Sequence, residues 1–236
     1  MSIAENIARI RSEMTAAALA SGRDPKEILL CAATKMNDAD AVRDAIRAGV
    51  DLCGENKVQE LTQKLSENAY EGAPVHFIGH LQTNKVKQVV GKVDLIQSVD
   101  SDRLLAAIQK EAAKQGIVQK ILLEINIGEE ESKSGFTAES VFDTLENMAQ
   151  YPNVFVKGLM AIPPIRQKDG DNLKFFQKMY ALSVDITAKK YDNVVVDIMS
   201  MGMSDDYTEA IACGSTMIRV GTAIFGPRNY TGNHHN

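Results

Sequence analysis

The chain has 236 residues, of which 44% are hydrophobic and 24% charged, enough apolar material for a substantial core and no sign of a disordered composition. Its net charge of -5 argues against a nucleic-acid surface, which needs lysine and arginine gathered on one face, but leaves room for a small anion in a local positive pocket. Three cysteines, Cys31, Cys53 and Cys213, form neither a CxxC pair nor an even set, so no disulfide framework or zinc knuckle is implied and a reducing cytoplasm is expected.

The first segment, residues 1–20, places Ile3, Ile7, Ile10 and Met14 at helical spacing among charged residues. It reads as an amphipathic packing helix, without the apolar core of a signal peptide. No apolar run reaches the length of a membrane helix. Strand signals then alternate with helical patterns eight times. The predicted strands are 28–34, 50–53, 75–78, 95–99, 121–126, 155–161, 194–199 and 217–220. Between the first two, Asn37 or Asp38 opens a helix whose Val42, Ala45 and Ile46 share a face, and Gly49 ends it. Helical patterns follow at 56–66, 84–89, 102–115, 137–149, 173–189 and 205–212. Strict alternation implies a parallel sheet, and eight units without a long insertion predict an α/β fold, a (β/α)8 TIM barrel with an extra N-terminal helix. A doubly wound open sheet is the rival, although no Gly-x-Gly-x-x-Gly turn follows the first strand. One domain is expected over residues 1–236, with 229–236 as a mobile tail.

In such a barrel the active site lies at the C-terminal ends of the strands, and phosphate is often held by the loops after strands 7 and 8. Those loops here are "SMGMSDD" (200–206) and "RVGTAIFG" (219–226), both rich in the small and hydroxyl residues an anion cradle uses. Alternation sets Lys35 on the face shared by Cys31 and Ala33, and Arg219 on the face shared by Met217, in strands that meet on closure. Two buried like charges need an anion between them or a neutral lysine. A lysine of lowered pKa attacks aldehydes, which leaves two chemistries open: a class I Schiff-base aldolase acting on a sugar phosphate, or a pyridoxal 5'-phosphate (PLP) site.

The runs "ATKM", "GENKVQE", "HFIGHLQTNK", "SVDS", "SKSGF", "KGLMAI", "SMGMSDDYTEAI" and "RVGTAIFGPR" resemble, in this order, the motifs of the PLP homeostasis proteins, which are similar to the N-terminal barrel of alanine racemases. The resemblance spans about residue 3 to Arg228. It implies that Lys35 forms a Schiff base with PLP, that Ser200, Met201, Ser204, Gly221 and Thr222 belong to the segments holding its phosphate, and that Arg219 stands beside the pyridine nitrogen. Asn56, His80 and Met160 match positions lining the pocket, and Lys133 matches a lysine at its rim. No residue is assigned a catalytic role. The implied function is to buffer or deliver PLP, to apo PLP-dependent enzymes among others, and so to maintain vitamin B6 and amino-acid and keto-acid balance.

An arginine at the ring nitrogen only donates, so the ring stays a weak electron sink. Alanine racemases share that arginine but add a second domain and a tyrosine from a partner subunit. Only ten residues follow Gly226, so a monomer without membrane or nucleic-acid partners is expected. The alternative is a racemase without that domain. It needs acid/base groups on both faces of its substrate, for which Tyr207 and His80 are the candidates beside Lys35. His76 and His80 lack a third ligand motif, so no metal is expected.

Overall fold

The computed structural model describes residues 1–130 and 132–227, so the expected tail at 229–236 lies outside the described residues, as do Glu131 and Arg228. Eight parallel strands close on themselves in sequence order: β1 (Leu29–Ala33), β2 (Leu52–Glu55), β3 (Val75–Phe77), β4 (Leu95–Val99), β5 (Gln119–Ile125), β6 (Val154–Ala161), β7 (Val194–Ser200) and β8 (Met217–Val220). The open-sheet rival is thereby excluded. β1 pairs with both β2 and β8, and the β1–β8 register sets Cys31 opposite Arg219. That register brings the strand leading to Lys35 alongside the strand that carries the arginine.

The outer helices are α1 (Ile3–Ala20), α2 (Ala39–Arg47), α3 (Val58–Ser66), α4 (Asp102–Gln115), α5 (Ser140–Glu146), α6 (Leu173–Ala188), α7 (Tyr207–Ala212) and α8 (Thr222–Phe225). Unit 3 has only a 3-10 segment, Thr83–Gln88, where the sequence suggests a helix. α1 begins with a reciprocal capping box, in which the Glu5 amide donates to the Ser2 hydroxyl and the Ser2 amide to the Glu5 carboxylate. Its buried Ile7, Ile10, Met14 and Ala18 pack on Leu30 and Ala32 of β1 and Ile218 and Val220 of β8. Four-residue α8 is too short to cover the seam where β8 meets β1, and α1 completes that cover. Truncating Ile10 to alanine is worth about 2–5 kcal/mol at a buried site of this kind. Among the described residues no helix is long and apolar enough to cross a membrane.

Besides that cluster under α1, outward-facing residues of the other strands join the helices in a larger apolar cluster, while Cys31, Leu52, Met217, Leu95, Leu122 and Met160 form small clusters inside the barrel around Ile198. The β6–β7 ladder slips its register between Val156 and Gly158. Gly158 makes the bulge feasible: at φ +148° a β-carbon would lie 1.9 Å from the Ile198 carbonyl oxygen.

Candidate functional site at the barrel mouth

A cavity of about 410 Å³ opens between the C-terminal ends of β8 and β1 and the loop after β7. Lys35 reaches it from the turn after β1, Ser204 from the β7 loop, Arg219 from β8 itself, and Gly221 and Thr222 from the start of α8. The two loops are stitched together: the Ala223 amide donates to the Ser204 hydroxyl at 3.2 Å, and the Arg219 amide to the Gly202 carbonyl at 3.0 Å. Asp206 fixes the β7 loop by accepting the Met203 amide at 2.7 Å and the Asn172 side-chain amide at 2.7 Å.

Arg219 is buried, and its guanidinium donates from Nη1 to the Ser200 hydroxyl at 2.7 Å and from Nη2 to the Ala161 carbonyl at 3.0 Å. Burial pulls its proton affinity down, with Cys31, Glu124 and Asp206 acting the other way. The Ser200 hydroxyl donates to Gln97 Oε1 at 2.6 Å, and Gln97 Nε2 stands 2.9 Å from His76 Nδ1. β8, β7, β4 and β3 are not all neighbours in the sheet, so this polar chain crosses the barrel interior. Burial pushes the His76 imidazole down to about 4, so the chain ends on a neutral ring.

The cavity therefore brings together Lys35, Ser204, Arg219, Gly221 and Thr222. The other expected residues stand apart from it. Ser200 lies beneath Arg219 with its hydroxyl engaged as above. The Met201 side chain packs in the outer apolar cluster, and Met160 is buried among Leu95 and Leu122 inside the barrel. Asn56 follows β2, and its side-chain oxygen is buried with no hydrogen-bond partner among the described residues. His80 is largely exposed, its Nδ1 3.2 Å from Asp100. Lys133 pairs with Glu130 and donates to the Pro163 carbonyl at 3.5 Å, tying the β5 loop to the β6 loop. Tyr207 turns away from the mouth and donates its hydroxyl to Glu13 of α1. His76 is inside the barrel while His80 is at its rim, and among the described residues no group of three or more His, Cys, Asp or Glu side chains is placed to hold a metal.

Sequence reasoning passed over Gln97 and Glu124. Both stand at inward positions of strands otherwise rich in apolar residues, "LIQSV" and "QKILLEI", and a polar residue in such a run is the signal that would have found them. Glu124 alternates with inward-facing Leu122, and burial pushes its carboxyl up to about 7, with Asp100 adding to the rise and Arg219 opposing it.

The donors present fit a small phosphorylated aldehyde. They comprise one lysine amine, one buried guanidinium and the hydroxyls of Ser204 and Thr222, set around a single cavity. By fold and site the protein falls in the class of the alanine racemase N-terminal domain, whose family model matches residues 2–229. A pyridoxal phosphate homeostasis protein of Aquifex aeolicus is 39% identical over 98% of this chain and 100% of its own length, and one of Escherichia coli is 37% identical over 97% and 98%. This chain belongs to the pyridoxal phosphate homeostasis protein family. Among solved structures, PipY of Synechococcus elongatus with PLP bound superposes with a TM-score of 0.82 at 30% identity, covering 95% of this chain and 100% of that one. An alanine racemase of Clostridium difficile shares the fold at a TM-score of 0.69 and 14% identity, matched over 96% of this chain and 58% of that one.

Proposed function

We propose that this protein binds PLP in the cavity at the barrel mouth, with Lys35 as covalent anchor, and that it holds and releases the cofactor without turning over a substrate. The observation that carries the reading is the convergence of Lys35, Arg219, Ser204 and Thr222 on one cavity of about 410 Å³. PLP supplies an aldehyde carbon to which a primary amine adds with loss of water. Lys35 offers that amine, Ser204 and Thr222 offer hydroxyls to a phosphate, and Arg219 offers a donor that never gives up its proton near neutral pH. Facing a ring nitrogen, such a donor keeps the nitrogen unprotonated, which suits storage better than carbanion chemistry.

The holding role is further supported by what Tyr207 and His80 do, since the one is bonded to Glu13 and the other is exposed beside Asp100. Neither is placed as the second acid/base group of a racemase. A single-domain, monomeric carrier in a reducing cytoplasm, passing PLP to apo-enzymes, fits these features and the three free cysteines. The rival reading as a racemase draws on Glu124, a carboxyl that exchanges its proton near neutral pH on the inner face of β5.

The test is the absorbance spectrum of the purified protein with added PLP, before and after borohydride reduction, for wild type and Lys35→Ala. A visible band that reduction converts to a stable adduct in wild type alone is expected. Trapping with a sugar phosphate but not with PLP would return the aldolase reading, and steady loss of optical activity from L-alanine would return the racemase.

A further inference from the structure

The turn that carries Lys35 is gripped from behind by a buried charged cluster. Glu55, the last residue of β2, and Lys64 of α3 are both buried. Lys64 Nζ lies 2.6 Å from Glu55 Oε1 and donates to the Thr34 carbonyl oxygen at 2.7 Å. The Thr34 hydroxyl donates to the same Glu55 oxygen. On the other side of Lys35, the Met36 amide donates to Glu60 Oε2 at 2.6 Å, and that oxygen is 3.9 Å from Lys64 Nζ. Thr34, before Lys35, is thus tied to Glu55 and Lys64, and Met36, after it, to Glu60, and the two ties join through the Lys64–Glu60 pair. Met36 sits at φ +62°, a left-handed conformation that a methionine does not adopt without support.

None of Glu55, Glu60 or Lys64 is among the lining residues of the cavity. A buried ion pair is a poor device for stability alone, because an apolar pair of similar volume often serves the fold as well. This one bonds both the carbonyl and the hydroxyl of Thr34, the residue directly before Lys35. We propose that Glu55, Lys64 and Glu60 are positioning residues for Lys35: they fix the chain on both sides of it, so that its amine enters the cavity in one orientation and meets a bound aldehyde without first ordering the turn. This deepens the reading of Lys35 as the PLP anchor and rests on it. The "GENKVQE" run (54–60) supplies both acids, Glu55 from the strand end and Glu60 from the first turn of α3, and Lys64 follows one helical turn later on the same face.

The test uses three variants. Glu60→Ala removes the acceptor of the Met36 amide at a partly exposed site, where the fold is not at risk. Glu60→Gln keeps an acceptor oxygen there. The double variant Glu55→Gln with Lys64→Met removes both buried charges together, leaving neither unpaired. Two quantities are read: hydrogen exchange of the Met36 amide in the protein alone, and the rate at which added PLP gives a borohydride-stable adduct. Losing one hydrogen bond to a charged acceptor predicts about tenfold faster exchange at Met36 in Glu60→Ala. Adduct formation is expected to slow to a similar extent at an unchanged melting temperature, and Glu60→Gln to restore both. Unchanged exchange at Met36 would overturn the proposal, and so would faster exchange with an unchanged adduct rate. A wild-type protein that forms no adduct would instead sink the anchor reading itself, a failure visible before any variant is compared.

Discussion

Arg219 Nη1 donates to the Ser200 hydroxyl at 2.7 Å, and that hydroxyl donates onward to Gln97 Oε1 at 2.6 Å. With its oxygen engaged, Gln97 turns its Nε2 donor to His76 Nδ1, so the imidazole accepts there and carries its proton on Nε2. Every donor in the series points the same way, and the guanidinium at its head is held by the Ser200 hydroxyl on one side and the Ala161 carbonyl on the other. Ser200→Ala would strand a buried N–H and a buried amide oxygen, at a cost of about 1–3 kcal/mol. A lower melting temperature and PLP binding weakened by about tenfold, the equivalent of 1.4 kcal/mol, are the expected outcomes. Unfolding followed by circular dichroism and a PLP titration would check them, and wild-type values in both would show that Arg219 does not depend on Ser200.

A second prediction concerns the turn by which the chain leaves β7. Gly202 has φ +95°, and a β-carbon there would lie 2.6 Å from the Ala210 β-carbon and 3.0 Å from the Tyr207 α-carbon. Gly202→Ala is therefore both conformationally strained and crowded against α7, and should cost at least about 1–2 kcal/mol from the left-handed backbone alone. Because the same loop presents Ser204 to the cavity, affinity for PLP should fall together with stability. Isothermal titration with PLP and thermal melting of the variant would show whether the two move together.

The strand ends, and with them the meeting of Lys35 and Arg219, were legible in the sequence because alternation and βα periodicity are local signals that barrel closure then converts into proximity. The second strand came out two residues early, at 50–53 against Leu52–Glu55. Asp51 stands at the approach to the strand: its amide donates to the Leu30 carbonyl at 3.1 Å, but the Leu30 amide bonds to the Asp51 carboxylate, which also pairs with Arg11 of α1 at 2.7 Å, and the paired register starts at Leu52. Gln97 and Ser200 are 103 residues apart, and nothing in either run announces the other. Which way Tyr207 faces was equally hidden, since it depends on the packing of a helix 194 residues upstream.

That packing gives a third prediction. The Tyr207 hydroxyl donates to Glu13, which holds the Glu13 carboxyl below the usual carboxylate range, with Arg9 assisting. Tyr207→Phe keeps the buried ring and loses one hydrogen bond, an expected loss of about 1 kcal/mol. The rate of adduct formation at Lys35 should be untouched. A variant as stable as wild type but unable to form the adduct would place Tyr207 in the site after all.

The last prediction concerns Glu124. Its carboxyl is raised from the ordinary 4.5 to about 7, chiefly by burial. Between those values the folded protein keeps a proton that the unfolded chain has released. The stability linked to this group is therefore complete below pH 4.5 and is lost as pH rises to about 7. A shift of that size corresponds to about 3 kcal/mol. Glu124→Gln has nearly the same shape and no proton to lose, so it should match wild type at pH 4.5 and exceed it at pH 8 by up to that amount. His76 acts in the opposite sense. Its pKa, depressed to about 4, makes stability fall as pH drops below 6.5, but wild type and variant share that residue and the difference between them isolates the carboxyl. Urea unfolding of both proteins at the two pH values would measure it. Equal stability at pH 8 would mean that Glu124 ionises without penalty, which would remove the one group on which a racemase reading draws.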